Sequence, residues 1–288
     1  MELAAEGWLF ERTLARGMQG ETMTRIRCLL QEHPTKPVFG AAVYFNDPVF
    51  IEICAGLGFQ VMWIEMEHAH ITFAEAVNLC RISQGCGLLT MIRIPNGSRE
   101  NVLKAAECAP DIINVPMANS AHELHELTRY ARFAPLGERG YFSVSRAVKY
   151  GAVPDVPAEQ QKQNDDLCLM AQIETTQAVA NREEICSVPG VDIFIGPSDL
   201  AASLGVPGQT GHSCVEEAAQ LAINAAKKHG KLVAVGAQPA DFKLWVKAGV
   251  DLLFCTNDTS CLRIGAETVL QRARDAVSQA TEEAVPEK

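Results

Sequence analysis

Residues 167–181, LCLMAQIETTQAVAN, begin with the apolar run of a buried strand, turn polar at Gln172 and Glu174, and pass into a Thr-led stretch suited to a helix. Seven other segments share the plan. VFGAAVY (38–44), VMWIEME (61–67), LLTMIRI (88–94), DIINVPM (111–117), VDIFIG (191–196), KLVAVG (231–236) and DLLFCT (251–256) are β-rich and apolar. Between them run amphipathic stretches such as TFAEAVNLCRISQGCG and SRENVLKAAECA, several opening on Asp, Thr or Ser as caps and two closing on Gly. Eight strand and helix alternations in about 250 residues predict an α/β chain folded as a single-domain (β/α)8 TIM barrel. A doubly wound open sheet is the second reading.

A barrel of this kind carries its active site at the carboxyl ends of the strands, so each end can be searched for polar groups that a structural strand does not need. The second strand ends in Glu65, Glu67 and His68, the third in Arg93, and the fifth in Gln172 and Glu174. The sixth runs into GPSDLA, with Ser198 and Asp199. Taken singly, each has a plain structural reading: Asp199 as a helix cap worth about 1 kcal/mol, Arg93 as a salt-bridge partner, His68 as part of a polar turn. Position is what argues for a site, because all of them fall at strand ends. Strands five and six are neighbours, so Glu174 and Asp199 are placed to share a hard divalent cation, Mg2+ or Mn2+, with Co2+ as a further candidate. No candidate strand ends in a lysine, which argues against Schiff-base chemistry.

Composition narrows the partners. A net charge of −10, from 25 basic and 35 acidic residues, comes without a Lys/Arg cluster and excludes a nucleic-acid partner. No apolar run approaches the roughly 20 residues that span a bilayer, so no membrane is expected. The ten cysteines lie singly, without CxxC pairs or a secretory leader, and read as reduced thiols of a cytoplasmic protein.

The segments WIEMEHAH, MIRIPNG, NVPMANSAHE, AQIETTQA and FIGPSDLAASLG, in this order, resemble the HpcH/HpaI aldolase family over about Pro37 to Leu262. The resemblance implies a metal-dependent (class II) pyruvate aldolase on a (β/α)8 barrel, a carbon–carbon lyase that reversibly cleaves a 4-hydroxy-2-oxo acid to pyruvate and an aldehyde. It places the metal on Glu174 and Asp199 and the keto oxygen on Arg93. The substrate carboxylate falls to Ser198 and Asp199, Gln172 supports the site, and His68 is the acid/base, oriented by Glu65. It also implies a homo-oligomer, hexameric or built from dimers, with Glu107 at the position of an acid that reaches a neighbour's active site. Glu65 and Met66 stand where the family has Asp and Gly, and a family tryptophan on the first strand is absent from GAAVYFN. These changes point to an altered pocket wall, and they keep two alternatives open: oxaloacetate decarboxylation or macrophomate synthase-like enolate chemistry, and a catalytically silent metabolite-binding barrel. The long segment RFAPLGERGYFSVSRAVKYGAVPDVPAEQQKQNDD is expected to border the pocket. Residues 1–22 read as an extension, 23–280 as the barrel and 281–288 as a disordered tail.

Overall fold

Each of the eight apolar runs forms a strand: β1 (Val38–Val43), β2 (Val61–Glu65), β3 (Leu89–Arg93), β4 (Ile112–Val115), β5 (Cys168–Ile173), β6 (Val191–Ile195), β7 (Val233–Gly236) and β8 (Leu252–Asn257). Every strand pairs in parallel with its sequence neighbour, and β8 closes on β1 with Val38 opposite Leu252. The sheet is therefore a closed eight-stranded barrel, and the open doubly wound sheet is excluded. The structure, a computed structural model, describes residues 23–32 and 37–283. The predicted extension over 1–22 and the last part of the predicted tail, 284–288, lie outside the described residues.

The helices are α1 (Arg25–Glu32), α2 (Pro48–Leu57), α3 (Phe73–Gly85), α4 (Arg99–Glu107), α5 (Ala121–Ala131), α6 (Val156–Asp166), α7 (Thr176–Ala180), α8 (Arg182–Ser187), α9 (Pro197–Ser203), α10 (Ser213–Lys228), α11 (Phe242–Ala248) and α12 (Asp258–Glu283). Their starts follow capping chemistry. Thr72 and Ser120 each accept the backbone N–H three residues on, while Glu75 and Glu123 reach back to the caps. Asp47 caps α2 ahead of Pro48, and Gly58 ends it in the left-handed region at φ 91°, a conformation that costs glycine little. None of the described helices is long and apolar enough to cross a membrane.

Alternation along the strands separates two apolar layers. Trp63, Met91, Met170, Phe194 and Phe254 fill the barrel interior, while Ala41, Ile64, Ile92, Ile113 and Ile193 face the helices. Trp63, Phe194 and Phe254 pack as an aromatic cluster with centroids 5.2–5.9 Å apart. Gly40 makes this possible, since a Cβ there would lie 2.5 Å from the Phe254 ring. At the amino ends of the strands α1 plugs the barrel with Ile26 and Leu30, and Arg25 and Arg27 pair with Asp111 at 2.5 Å and Asp192 at 2.6 Å.

The long connection over 132–155 does not border the strand carboxyl ends. It leads from a helix back to a strand, so it lies on the opposite face. There Arg146 donates to Cys108 O at 2.8 Å and Arg132 to Leu167 O at 2.7 Å, both at the amino ends of strands.

Candidate active site

The β2–β3 register sets Glu65 beside Arg93. Arg93 Nε donates to Glu65 Oε2 at 2.6 Å, Nη1 lies 3.0 Å from Glu67 Oε2, and the guanidinium stacks 4.8 Å from the Trp63 ring centre. Burial, at 5% exposure, disfavours its charge, but Glu65, Glu67 and Glu174 outweigh that and raise its pKa. The result is a cation fixed in orientation at the barrel mouth.

Glu65 serves the turn after β2 as well. Its Oε1 accepts the N–H of Glu67 at 2.7 Å and of His68 at 2.9 Å, so it grips the backbone of His68 and not the ring. The His68 side chain is 66% exposed, with Nε2 3.7 Å from Glu67 Oε2. The longer carboxylate thus spends its reach on Arg93 and two amides. Met66 packs into the layer between barrel and helices, and so does not form the pocket wall expected of it. Glu67 itself has its pKa raised, first by burial.

Glu174 directly follows β5, at 1% exposure. Met117 N–H donates to its Oε1 at 2.6 Å, and Gln172 Nε2 to its Oε2 at 2.5 Å. Met117 holds a left-handed φ of 53°, a strained geometry for a side-chain-bearing residue. Gln172 is held in turn by Asn114 Nδ2 at 2.7 Å, so its amide aims the carboxylate. Burial, with the negative charges of Asp199 and Glu67, pushes Glu174 up to about 7 against these hydrogen bonds. Asp199 and Ser198 stand exposed in the first turn of α9. Gly196, just before them, is required by packing: a Cβ there would sit 2.5 Å from Glu174 Oε2.

The residues fit a divalent cation. Among the described residues no group of three or more His, Cys, Asp or Glu is arranged to hold a metal alone. Glu174 and Asp199 form a two-carboxylate set whose mutual repulsion a cation would relieve, leaving positions for water and a chelating substrate. A cavity of about 340 Å³ opens between the β1 and β2 ends, lined by Tyr44, Asn46, Glu65, His68, His70 and Thr259 among others; Glu174, Asp199 and Arg93 do not line it.

All eight barrel-mouth candidates lie at the carboxyl ends: Glu65, Arg93 and Gln172 within β2, β3 and β5, Glu174 directly after β5, Glu67 and His68 in the turn after β2, and Ser198 and Asp199 in α9 after β6. Glu107 does not join them. It ends α4 on the opposite face, where Arg139 Nη2 approaches it at 2.9 Å. Sequence reasoning did not single out Met117, Asn114 or Gly196, which act through a backbone donor, a relayed amide and the lack of a side chain. Only Gly196 carried a signal, as the glycine between a strand end and GPSDLA's helix.

Comparison with known proteins shows the family and the fold. Residues 42–260 match the family model described as HpcH/HpaI aldolase/citrate lyase. The hydroxypyruvate/pyruvate aldolase of Deinococcus radiodurans is 32% identical over 257 residues, 88% of this chain and 90% of that protein. The 2-keto-3-deoxy-L-rhamnonate aldolase of Escherichia coli is 32% identical over 182 residues, 62% of this chain and 67% of that protein. An HpcH/HpaI aldolase/citrate lyase family protein from Burkholderia cenocepacia superposes with a TM-score of 0.79 at 27% identity, covering 86% of this chain and 99% of that one.

Proposed function

The chain belongs to the HpcH/HpaI aldolase/citrate lyase family, and from that membership we propose a divalent-metal-dependent pyruvate aldolase that reversibly cleaves a 4-hydroxy-2-oxo acid to pyruvate and an aldehyde. Lyase chemistry of the aldolase type comes with the family and its aldolase-named relatives. The metal and the pyruvate unit rest on one observation: the buried Glu174, crowded by Asp199, faces an arginine fixed between two carboxylates.

A bound Mg2+ or Mn2+ would supply Lewis acidity to a chelated 2-oxo acid and hold the charge of its enolate. Gln172 and Met117 N–H orient Glu174 for that role, and Asp199 supplies the second carboxylate. Arg93 has Nε and Nη1 committed to carboxylates, which turns its remaining edge toward a substrate keto oxygen, where a fixed guanidinium stabilises developing negative charge. Ser198 and Asp199, in the first turn of α9, are placed for the substrate carboxylate. His68, exposed at the cavity, moves protons through water between enolate, alkoxide and aldehyde.

The test is methyl deuterium uptake by pyruvate in D2O. Exchange should stop with a chelator and return with Mg2+ or Mn2+, followed by retro-aldol release of pyruvate from a 4-hydroxy-2-oxo acid. Folded, metal-loaded protein that exchanges no methyl proton would refute the proposal. A second reading, oxaloacetate decarboxylation through the same enolate, is favoured by one contact: Glu65 holds the His68 backbone and leaves the ring unbraced. Decarboxylation needs no base, and pyruvate release from oxaloacetate distinguishes it.

A further inference from the structure

The cavity at the β1 and β2 ends holds none of the groups assigned to the metal or the keto oxygen. Glu174, Asp199 and Arg93 lie outside its wall, so a chelated 2-oxo acid leaves its volume of about 340 Å³ free. It is joined to that site all the same, because Glu65 belongs to both. Glu65 Oε2 holds Arg93 Nε at 2.6 Å, and the same residue lines the cavity together with His68.

The wall is suited to hydroxyl groups. Tyr44, Asn46, His70 and Thr259 present a phenol, an amide, an imidazole and an aliphatic hydroxyl, all of them hydrogen-bonding groups. Burial, then the charge of Glu65, raises the Tyr44 pKa against the pull of Arg93, so the phenol keeps its proton and remains a donor. None of the described residues on the wall is a lysine or an arginine.

Glu75, also on the wall, makes it negative. Thr72 N–H and Thr72 Oγ1 each donate to Glu75 Oε2 at 2.7 Å, and Asn46 Nδ2 donates to Oε1 at 3.2 Å. These bonds, the Thr72 backbone N–H first, hold the Glu75 carboxyl below its usual range. All three donors are neutral, so the charge is oriented and not cancelled.

On the pyruvate aldolase reading above, we propose that this cavity is the aldehyde subsite and that it selects a neutral, hydroxylated aldehyde over one carrying a carboxylate. In the addition direction the enolate carbon bonds to the aldehyde carbon, and the aldehyde oxygen takes up the proton that left the pyruvate methyl group. His68 shares the wall, which puts the acid/base beside that oxygen. Hydroxyls farther along the aldehyde exchange water for Tyr44, Asn46 and Thr259. A carboxylate in their place meets Glu75 and finds no guanidinium or ammonium on the wall to pair with. An apolar aldehyde of the same length leaves the polar groups unpaired, the loss by which hydroxyl-binding sites reject deoxy analogues.

Aldol addition by the metal-loaded full chain, at saturating pyruvate, tests the selection through ratios of kcat/KM. Glycolaldehyde and glyoxylate set CH2OH against carboxylate at equal size, and glyceraldehyde and propanal differ by hydroxyls at equal chain length. Wild type should favour glycolaldehyde over glyoxylate and glyceraldehyde over propanal, each by roughly tenfold or more. Glu75→Gln keeps the cap, since the glutamine oxygen still accepts from Thr72. It should cut the glycolaldehyde to glyoxylate ratio roughly fivefold, the scale of one charge met in water at contact distance. Tyr44→Phe should cut the glyceraldehyde to propanal ratio by roughly fivefold, the loss of one neutral hydrogen bond. Each ratio is taken within one protein, so a change in enolate formation cancels. A ratio that either variant leaves at the wild-type value overturns the proposal, as does a wild type that prefers glyoxylate or propanal. Wild type that exchanges pyruvate methyl protons yet adds none of the four aldehydes also overturns it while keeping the enolate. Absence of exchange refutes the reading of the enolate itself, and the subsite with it.

Discussion

Gly196→Ala should disable the site while the barrel still folds. Gly196 adopts a φ of −103°, so an added Cβ brings no left-handed strain, and the effect is one of space alone. The new carbon would lie 2.5 Å from Glu174 Oε2, 2.8 Å from Glu174 Cβ and 2.9 Å from Gln172 Nε2. Non-bonded carbon contacts settle near 3.5 Å, so the carboxylate must retreat by roughly 1 Å. That retreat stretches the 2.6 Å bond from Met117 N–H beyond useful range and turns the carboxylate away from Asp199. Overpacking of this kind costs about 1–3 kcal/mol, a fall in Tm of several degrees for a domain of this size. The assay is thermal unfolding with and without Mn2+, beside pyruvate deuterium exchange. Wild-type protein at a hundredfold excess over Kd should gain ~2.7 kcal/mol from the metal, and the variant should gain almost nothing. Gly85→Ala, where no atom lies within 4 Å of the new Cβ, is the control and should keep full exchange. A Gly196→Ala protein with normal metal response and normal exchange would refute the assignment of Glu174.

Glu174→Gln and Asp199→Asn should each abolish the metal-induced Tm rise and turnover with the fold intact; metal titration monitored by unfolding checks this. Arg93→Lys should slow turnover on the order of 10²-fold or more, because a point charge cannot serve Glu65, Glu67 and a substrate oxygen together; an unchanged kcat with raised KM would assign Arg93 to ground-state binding. His68→Ala should severely reduce deuterium exchange and aldol cleavage but spare much of any oxaloacetate decarboxylation, and equal loss of all three would withdraw the acid/base role. Burial pushes the Cys108 and Cys186 thiols up to about 11. Their folded values lie above the ordinary thiol value, so they contribute stability that is full below about pH 9 and lost as pH rises toward 11. Denaturant midpoints followed from pH 8 to 11 should fall over that window, with thiol labelling rising in step.

The fold was legible because β strands of a parallel barrel are buried on both faces and read as short continuous apolar runs. Each of the eight runs became a strand, with ends displaced by a residue or two, as where KLVAVG from Lys231 yields a strand only from Val233. The long connection over 132–155 was misplaced because its length was weighed before its order; a segment between a helix and the next strand belongs to the amino-end face. The course of α12 was hidden for a different reason: it begins at Asp258 directly after β8 ends at Asn257, and residues 261–281 are exposed, a matter of backbone direction that residue types do not encode.

The residue types of the site were legible at the strand ends, but the division of work among its carboxylates was not, since that depends on which hydrogen bonds each one wins. Glu65 accepts two backbone N–H groups and the Arg93 guanidinium, and is thereby saturated. Glu67 shares the same arginine at 3.0 Å. Glu174 receives only neutral donors, Met117 N–H and the Gln172 amide, and Asp199 raises its pKa further. Three carboxylates, Glu65, Glu67 and Glu174, thus act on one guanidinium, and the one that Arg93 does not contact, Glu174, is the one Asp199 crowds. Neutral donors orient a carboxylate without neutralising it, so the uncompensated charge is concentrated at Glu174 and Asp199. On the proposed reading a cation there would balance the site, and Arg93, already held by Glu65 and Glu67, would be kept for the substrate oxygen.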